Sequence, residues 1–252
     1  FEYLRAIRYE LNMLETMDQI QVCSLENKQY LASFSPDIED RIDETLRAGI
    51  DTARYDFSTD VRDPHTMLFL GSFRHVPNQE ALDWFTKLVL PRVVERCSDA
   101  RLVIIGSDPP PRHSLPAQDR NIEILGFVED LHEAFARYSV FVCPILSGSG
   151  VRVKLLEAFC SGIPIVSTRI GAEGLTEHDG DICFLADNPA EFADRIVQLF
   201  ENPDLAGEMV RKAREYVTTN RDITRMTERL ADSYRQGLDK KRFAFALPEH
   251  SE

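Results

Sequence analysis

The sequence has no Cys-x-x-Cys pair, no excess of basic residues and no apolar stretch near the roughly 18 residues that span a bilayer. Each absence removes a class of function. The five cysteines, Cys23, Cys97, Cys143, Cys160 and Cys183, are scattered, so zinc-ribbon and dithiol chemistry have no support. No clean triad of metal-ligating residues stands out, and no metal is expected. Three of the cysteines lie in apolar runs and their number is odd, which predicts reduced thiols and a cytoplasmic chain. With 29 basic against 42 acidic residues the net charge is −13, so a nucleic-acid partner is not expected. An anionic ligand must instead be held by local donors against an unfavourable overall field. The first buried run is not followed by Gly-x-Gly-x-x-Gly, which argues against a nicotinamide-dependent dehydrogenase. No signal peptide is visible, but the chain opens at Phe1 inside a helix-like pattern. The expectation is that a segment upstream of Phe1, with any targeting signal, belongs to the whole protein.

What is present is ample for a folded domain. The 252 residues are 43% apolar, enough for one large domain with a sizeable core. Residues 1–33 read as helix, a short apolar stretch (Ile20, Val22, Cys23) and a second helix starting after Ser24. The acidic run 36–44 reads as a solvated loop, and 49–65, mixing Gly, Asp, Ser, Thr and Pro, as a linker. Regular alternation follows. Strands are predicted at 67–71, 102–106, 122–126, 140–143, 163–167 and 182–185, the first two as buried apolar runs. Helices are predicted at 78–96 with a kink at Pro91, at 131–137 and at 152–160. Trp84 and Phe85 read as core. The last third is helical, with Met226, Leu230, Tyr234 and Leu238 on one face, and the tail from Phe243 reads as disordered or extended. The alternation predicts a doubly wound, Rossmann-like parallel α/β sheet with helices on both faces and right-handed crossovers. Ligands of such sheets bind beyond the carboxyl ends of the strands, which places 71–78, 106–111, 126–131 and 144–152 along one rim.

The richest stretch runs from Pro144 to Ala158, between a strand and a helix. Gly148 and Gly150 permit a tight turn and close backbone approach. The unbonded N–H groups of the helix start favour an anion, and Arg152 and Lys154 add charge beside them. Glu157, further along the helix, suits a neutral donor such as a ribose hydroxyl. Phosphate at the helix start with a carboxylate on the sugar is a nucleotide arrangement. Spacing alone is equally compatible with a Gly/Ser turn and an exposed basic helix start.

Residue order adds a resemblance. The run from Lys154 to Thr168 resembles the signature of group 1 (retaining) glycosyltransferases of the GT-B fold, in which Glu-x7-Glu precedes Ala-x-x-x-Gly-x-Pro-Val-Val. Glu157 matches the second glutamate, which the resemblance assigns to the donor ribose, and Gly162, Pro164 and Val166 match the following turn and strand. The runs Gly171 to Leu175 and Leu125 to Val128 resemble further family loops, the latter packing on the base, and Gly71 matches the glycine after the first strand of the donor lobe. The likeness covers roughly residues 66–219. It implies three regions: 1–56 as the end of an acceptor lobe with the interlobe crossing at 48–51, 57–219 as the nucleotide-sugar domain, and 220–252 as a C-terminal helix and tail.

Two departures stand out. Ser149 occupies the place of the first glutamate, so contact with the transferred sugar must change. In the first loop Ser72 stands at the usual arginine, and Pro77 or Asn78 at the usual lysine, leaving Arg74, Arg152 and Lys154 as replacement cations. A branch of the family with Pro-Asn here and Arg-x-Lys at the later helix start fits better. His75 reads as a solvated loop residue or a second approach to the rim. His132 reads as a surface residue at a helix start, Asp108 as a turn residue, and Glu173 or Glu177 as possible sugar contacts. The resemblance implies hexosyl transfer, with retention, from a nucleotide diphosphate sugar to an acceptor hydroxyl. Arg152 and Lys154 would carry the catalytic charge. Gly71, Ser72, Arg74, Phe127, Val128, Leu131, Gly148, Ser149, Gly150, Val151 and Glu157 would bind the donor. No cofactor beyond the donor is implied. The acceptor would be a glycan, lipid or small molecule, and contact with a membrane surface would come through the other lobe. This stretch alone is expected to bind donor without turnover. The alternative is a non-catalytic nucleotide-binding or interaction module, which the serine at 149 favours.

Overall fold

Met67, Leu68, Phe69 and Leu70 are all buried, with no alternation, as in a strand covered on both faces. The same holds for Leu102 to Ile105 and for Val140 to Cys143, and these three runs form the middle of one sheet. The structure, a computed structural model, describes residues 2–43, 48–111, 115 and 119–246. It divides into two compact units, 1–49 with 220–252, and 50–219.

The smaller unit begins with α1 (Glu2–Glu15), β1 (Ile20–Gln21) and α2 (Leu25–Phe34). Ser24 caps α2, its hydroxyl accepting the Asn27 N–H at 3.1 Å. The acidic run 36–44 is not a plain loop. Pro36–Arg41 form a 3-10 helix that buries Ile38 while Asp37, Glu39 and Asp40 stay exposed, and Ile42–Asp43 (β2) pair in parallel with β1. Ile20, Ile38 and Ile42 make a small core with Leu14, Val22 and Leu31. Charge dominates the composition of that run, but one isoleucine decides its structure; Glu44 lies outside the described residues.

In the larger unit the order is β3 (Asp63–Leu70), α3 (Val76–Trp84), a π-helical turn (Phe85–Val89), α4 (Leu90–Arg96), β4 (Arg101–Ile105), β5 (Ile122–Gly126), α5 (His132–Arg137), β6 (Tyr138–Cys143), α6 (Val153–Ser161), β7 (Ile165–Ser167), β8 (Phe184–Leu185), α7 (Pro189–Glu201) and α8 (Pro203–Asn220). The break expected at Pro91 takes the form of the π turn. Proline has no N–H to give, and the Leu90 N–H reaches back five residues to the Phe85 carbonyl. The strands lie in the order β5-β4-β3-β6-β7-β8 and every pair is parallel. Counted from β3 this is 3-2-1-4-5-6, the doubly wound order, with its reversal between β3 and β6.

The segment 49–65 is more than a linker. Thr52–Arg54 form a 3-10 turn with Thr52 buried, and Arg214 donates to the carbonyls of Thr52 (3.2 Å), Tyr55 (3.4 Å) and Cys160 (2.7 Å). Arg62 donates to the carbonyls of Gly162 (2.8 Å), Ser58 (3.1 Å), Tyr138 (3.2 Å) and Phe135. Burial there lowers its guanidinium to about 10. β3 then starts at Asp63, before the apolar run that reveals it in sequence. The last helix, α9 (Ile223–Ala246), belongs to the smaller unit and overturns the disordered tail from Phe243 as far as Ala246. Of its expected apolar stripe only Met226 is buried, while Tyr234 and Leu238 are exposed. No helix among the described residues is long and apolar enough to cross a membrane.

Candidate functional site

Where the winding reverses, the chain leaves β3 toward α3 and leaves β6 toward α6, and a crevice opens between the two loops. Its floor is glycine. Gly71 N–H donates to the Ile105 carbonyl at 3.1 Å, Phe73 N–H to Ser107 at 2.9 Å, and Gly106 N–H to Gly126 at 2.8 Å, locking three strand ends together. A Cβ on Gly106 would overlap the Gly71 carbonyl, so only glycine lets these ends approach.

The crevice holds a cavity of about 470 Å³. Gly71, Ser72, His75, Pro77 and Asn78 line the β3 side; Ile145, Ser147, Gly148, Ser149 and residues Val151 to Lys154 line the β6 side. Gly148 and Gly150 have φ of 98° and 89°, left-handed values that suit glycine. Arg152 stands at the N-cap of α6, and its side chain gives no cap to the first amides of the helix. Arg152 instead turns back on its own loop, Nη1 donating to the Ser149 carbonyl at 2.7 Å and to that of Gly150. Lys154 crosses the crevice. Its Nζ donates to the Leu70 carbonyl at 2.8 Å and lies 3.4 Å from Asn78 Oδ1, while Asn78 Nδ2 donates to the Ser72 carbonyl at 2.9 Å. Ser147 Oγ donates to Glu80 at 3.0 Å. Two cations and an uncapped helix start thus share one concave site in an otherwise acidic chain.

Glu157 is one turn beyond Lys154, half-buried and outside the cavity lining. Its Oε1 accepts the Tyr55 hydroxyl at 3.1 Å. Burial pushes the carboxyl pKa up; the Tyr55 hydrogen bond and the nearby His132 pull it down. Burial, and then the neighbouring carboxylate, push the Tyr55 phenol up to about 12. The His132 ring packs 5.0 Å from the Tyr55 ring, its Nδ1 2.6 Å from Asp130 and its Nε2 2.7 Å from the Arg54 carbonyl. The Asp130 hydrogen bond, then that of Arg54, raise the His132 pKa.

The remaining residues singled out in sequence are more dispersed. Arg74 is 81% exposed and pairs with Asp108 at 2.8 Å, beyond the cavity. Phe127, Val128 and Leu131 follow β5, with Phe127 exposed and Leu131 at the start of α5; none lines the cavity, nor does Gly150. His75 does line it. Glu177 is exposed and Glu173 half-buried, and the Glu177 carbonyl accepts Arg169 at 3.1 Å. Sequence reading gave Asn78 only as one of two stand-ins for a lysine, and passed over Tyr55 and Ser147. Asn78 was signalled by its place next to Pro77; Tyr55, 102 residues from its partner, had no local signal. Among the described residues no group of three His, Cys, Asp or Glu side chains is placed to hold a metal.

Residues 64–202, more than half of the chain, match the sequence model of the family described as Glycosyl transferases group 1. Among curated proteins the chain is similar to the phosphatidyl-myo-inositol mannosyltransferase of Mycobacterium leprae, with 30% identity over 60% of this chain and 41% of that protein. It is also similar to an uncharacterized 44.6 kDa protein in the cps region of Klebsiella pneumoniae, with 27% identity over 66% of this chain and 45% of that one. The chain therefore spans less than half the length of these two relatives. Among solved structures it shares its fold with a variant of S. aureus TarM in complex with fondaparinux, α-GlcNAc-glycerol and UDP, with a TM-score of 0.75, 17% identity, and coverage of 90% of this chain and 46% of TarM. Anabaena HepE in complex with UDP-glucose gives a TM-score of 0.69, 13% identity, and coverage of 91% of this chain and 67% of HepE.

Proposed function

The chain belongs to the group 1 glycosyl transferases, and on that premise we propose that its larger unit binds a nucleoside diphosphate sugar for transfer, with retention, to an acceptor hydroxyl. The observation that carries this reading is the Lys154 ammonium, held across the 470 Å³ crevice beside the open start of α6. A leaving nucleoside diphosphate gains negative charge as the glycosidic bond breaks. Donors already fixed at that place stabilise the transition state more than the ground state. Lys154, Arg152 and the backbone from Gly148 to Val151 take that role, with Gly71, Ser72 and Arg74 on the facing loop. Glu157 takes the ribose, and Phe127, Val128 and Leu131 the base. The UDP and UDP-glucose present in the TarM and HepE structures support a uridine donor. The donor is the only small-molecule group required. The acceptor is a glycan, lipid or small molecule, reached through the rest of the protein, which would also make any membrane-surface contact. The site faces the cytoplasm, where nucleotide sugars are made.

A thermal-shift series with UDP, GDP, ADP and the matching nucleosides tests the reading. One diphosphate at about 100 times its Kd should stabilise the chain by about 2.7 kcal/mol, a rise of about 5–10 °C, with its nucleoside far less effective. No response to any diphosphate would overturn the nucleotide reading. A transfer assay on the full-length protein across an acceptor panel separates enzyme from module: donor binding without turnover would support the non-catalytic reading that Ser149 favours.

A further inference from the structure

Glu157 is held from a segment a hundred residues away. The Tyr55 hydroxyl donates to Oε1 at 3.1 Å, and among the described residues no group donates to Oε2. An ionised carboxylate offers about four lone pairs and gives no proton, so one oxygen can be fixed by the protein while the other stays available to ligand hydroxyls. Tyr55 is itself fixed from both sides. Arg214 donates to the Thr52 and Tyr55 carbonyls at 3.2 and 3.4 Å. On the other side the Tyr55 ring packs on His132, whose two ring nitrogens both face acceptors: the Asp130 carboxylate at 2.6 Å and the Arg54 carbonyl at 2.7 Å. The protonated imidazole serves both acceptors with its two N–H groups, and its charge then pulls the half-buried Glu157 carboxyl toward the ionised form.

We propose that Tyr55 is a positioning residue for Glu157, its hydroxyl fixing the carboxylate in the orientation and ionised state that accept the ribose hydroxyls of the donor. The inference rests on the reading that Glu157 takes the ribose, and deepens it. Tyr55 does not touch the ligand; it acts through the carboxylate. A tyrosine serving only as packing would act through its ring, and that difference can be measured.

The test compares UDP with 2′-deoxy-UDP by calorimetry on the intact chain and three variants. Glu157→Gln sets the scale: if it leaves the preference for the ribose form unchanged, the ribose reading itself fails. If it erases the preference, Tyr55→Phe, which keeps the ring on His132, should weaken UDP about five- to tenfold and leave the deoxy analogue within about twofold. Tyr55→Leu, which removes ring and hydroxyl, should lower the preference by a similar factor. Loss of preference in Leu but not in Phe would assign Tyr55 to packing and overturn the proposal. An equal loss for both ligands in Phe would do the same. Failure of wild type to bind UDP would overturn both readings for this nucleotide.

Discussion

Replacing Lys154 by methionine removes an ammonium and keeps most of its stem. Without ligand the ammonium donates to the Leu70 carbonyl at 2.8 Å, lies 3.4 Å from Asn78 Oδ1, and sits 5.6 Å from the centre of the Phe69 ring. An ammonium has three N–H donors, so a third remains for an anion in the crevice. A hydrogen bond of this charged kind contributes about 1.5–3 kcal/mol, so Lys154→Met should raise the Kd for UDP by about 10- to 150-fold. Uridine has no phosphate and should change by less than about twofold. The protein itself loses a strand-end hydrogen bond at a half-buried position, about 1 kcal/mol, or about 2–4 °C in melting temperature for a chain of this size. Calorimetry with both ligands, checked by a thermal melt, reads all three quantities. The reasoning is refuted if UDP affinity is unchanged, or if uridine falls as far as UDP.

The other predictions concern the frame of the site. Gly106→Ala puts a methyl into the Gly71 carbonyl, so backbone must move; the cost should be about 3 kcal/mol or more, a melting temperature lower by about 6–12 °C, and a melt within 2 °C of wild type would show that the strand ends are not pressed together. The His132 and Asp130 pair predicts a pH dependence of stability. The raised His132 pKa gives a contribution fully present below about pH 6.5 and lost as pH rises through the folded value. The lowered Asp130 pKa, caused first by the His132 backbone N–H and then by its ring, gives one present above about pH 4 and lost as pH falls through its folded value. The melting difference between wild type and His132→Gln should therefore be largest between about pH 4 and 6.5 and shrink toward pH 9, by little, because both side chains are exposed. A difference that does not vary with pH would separate His132 from that pair.

The central strands were legible because burial on both faces leaves an unbroken apolar run, as in Met67 to Leu70 and Leu102 to Ile105, whereas edge strand β5 buries only Ile122 and leaves Glu123 and Leu125 exposed. Pro91 was legible for the same kind of reason, a missing donor that breaks a helix wherever it falls. The crevice followed from the rule that ligands sit where winding reverses, and Gly148, Ser149, Arg152 and Lys154 were found on its wall. What stayed hidden was held by main-chain acceptors. Arg62 and Arg214 fasten the segment from Thr52 to Asp63 through carbonyls of Phe135, Tyr138, Cys160 and Gly162, and a carbonyl has no side-chain identity for a sequence pattern to register. The segment's Gly, Asp and Pro content describes its turns correctly while saying nothing of its attachment. Tyr55 shows the effect: Arg214 holds its carbonyl, and its hydroxyl meets Glu157, 102 residues away.

The cations at the rim are not equivalent, and their present partners rank them. Arg74 is 81% exposed and paired with Asp108 at 2.8 Å, so a phosphate would replace one solvent-screened partner by another, a net gain of the small size typical of surface pairs. Arg152 holds the carbonyls of Ser149 and Gly150, so its charge is already used to shape the loop that presents the amides; drawing it to the ligand would cost that loop its tie. Lys154 has a half-buried head that reaches across to the facing loop, anchored by the Leu70 carbonyl and Asn78 Oδ1 and with one N–H left over from these two partners. A group fixed before the ligand arrives undergoes little reorganisation when charge develops, which is the condition for strong electrostatic stabilisation in a site shielded from water. An acidic chain can hold a diphosphate on these terms because the overall field is screened over about 8–10 Å, whereas the contacts within the crevice act over about 3 Å.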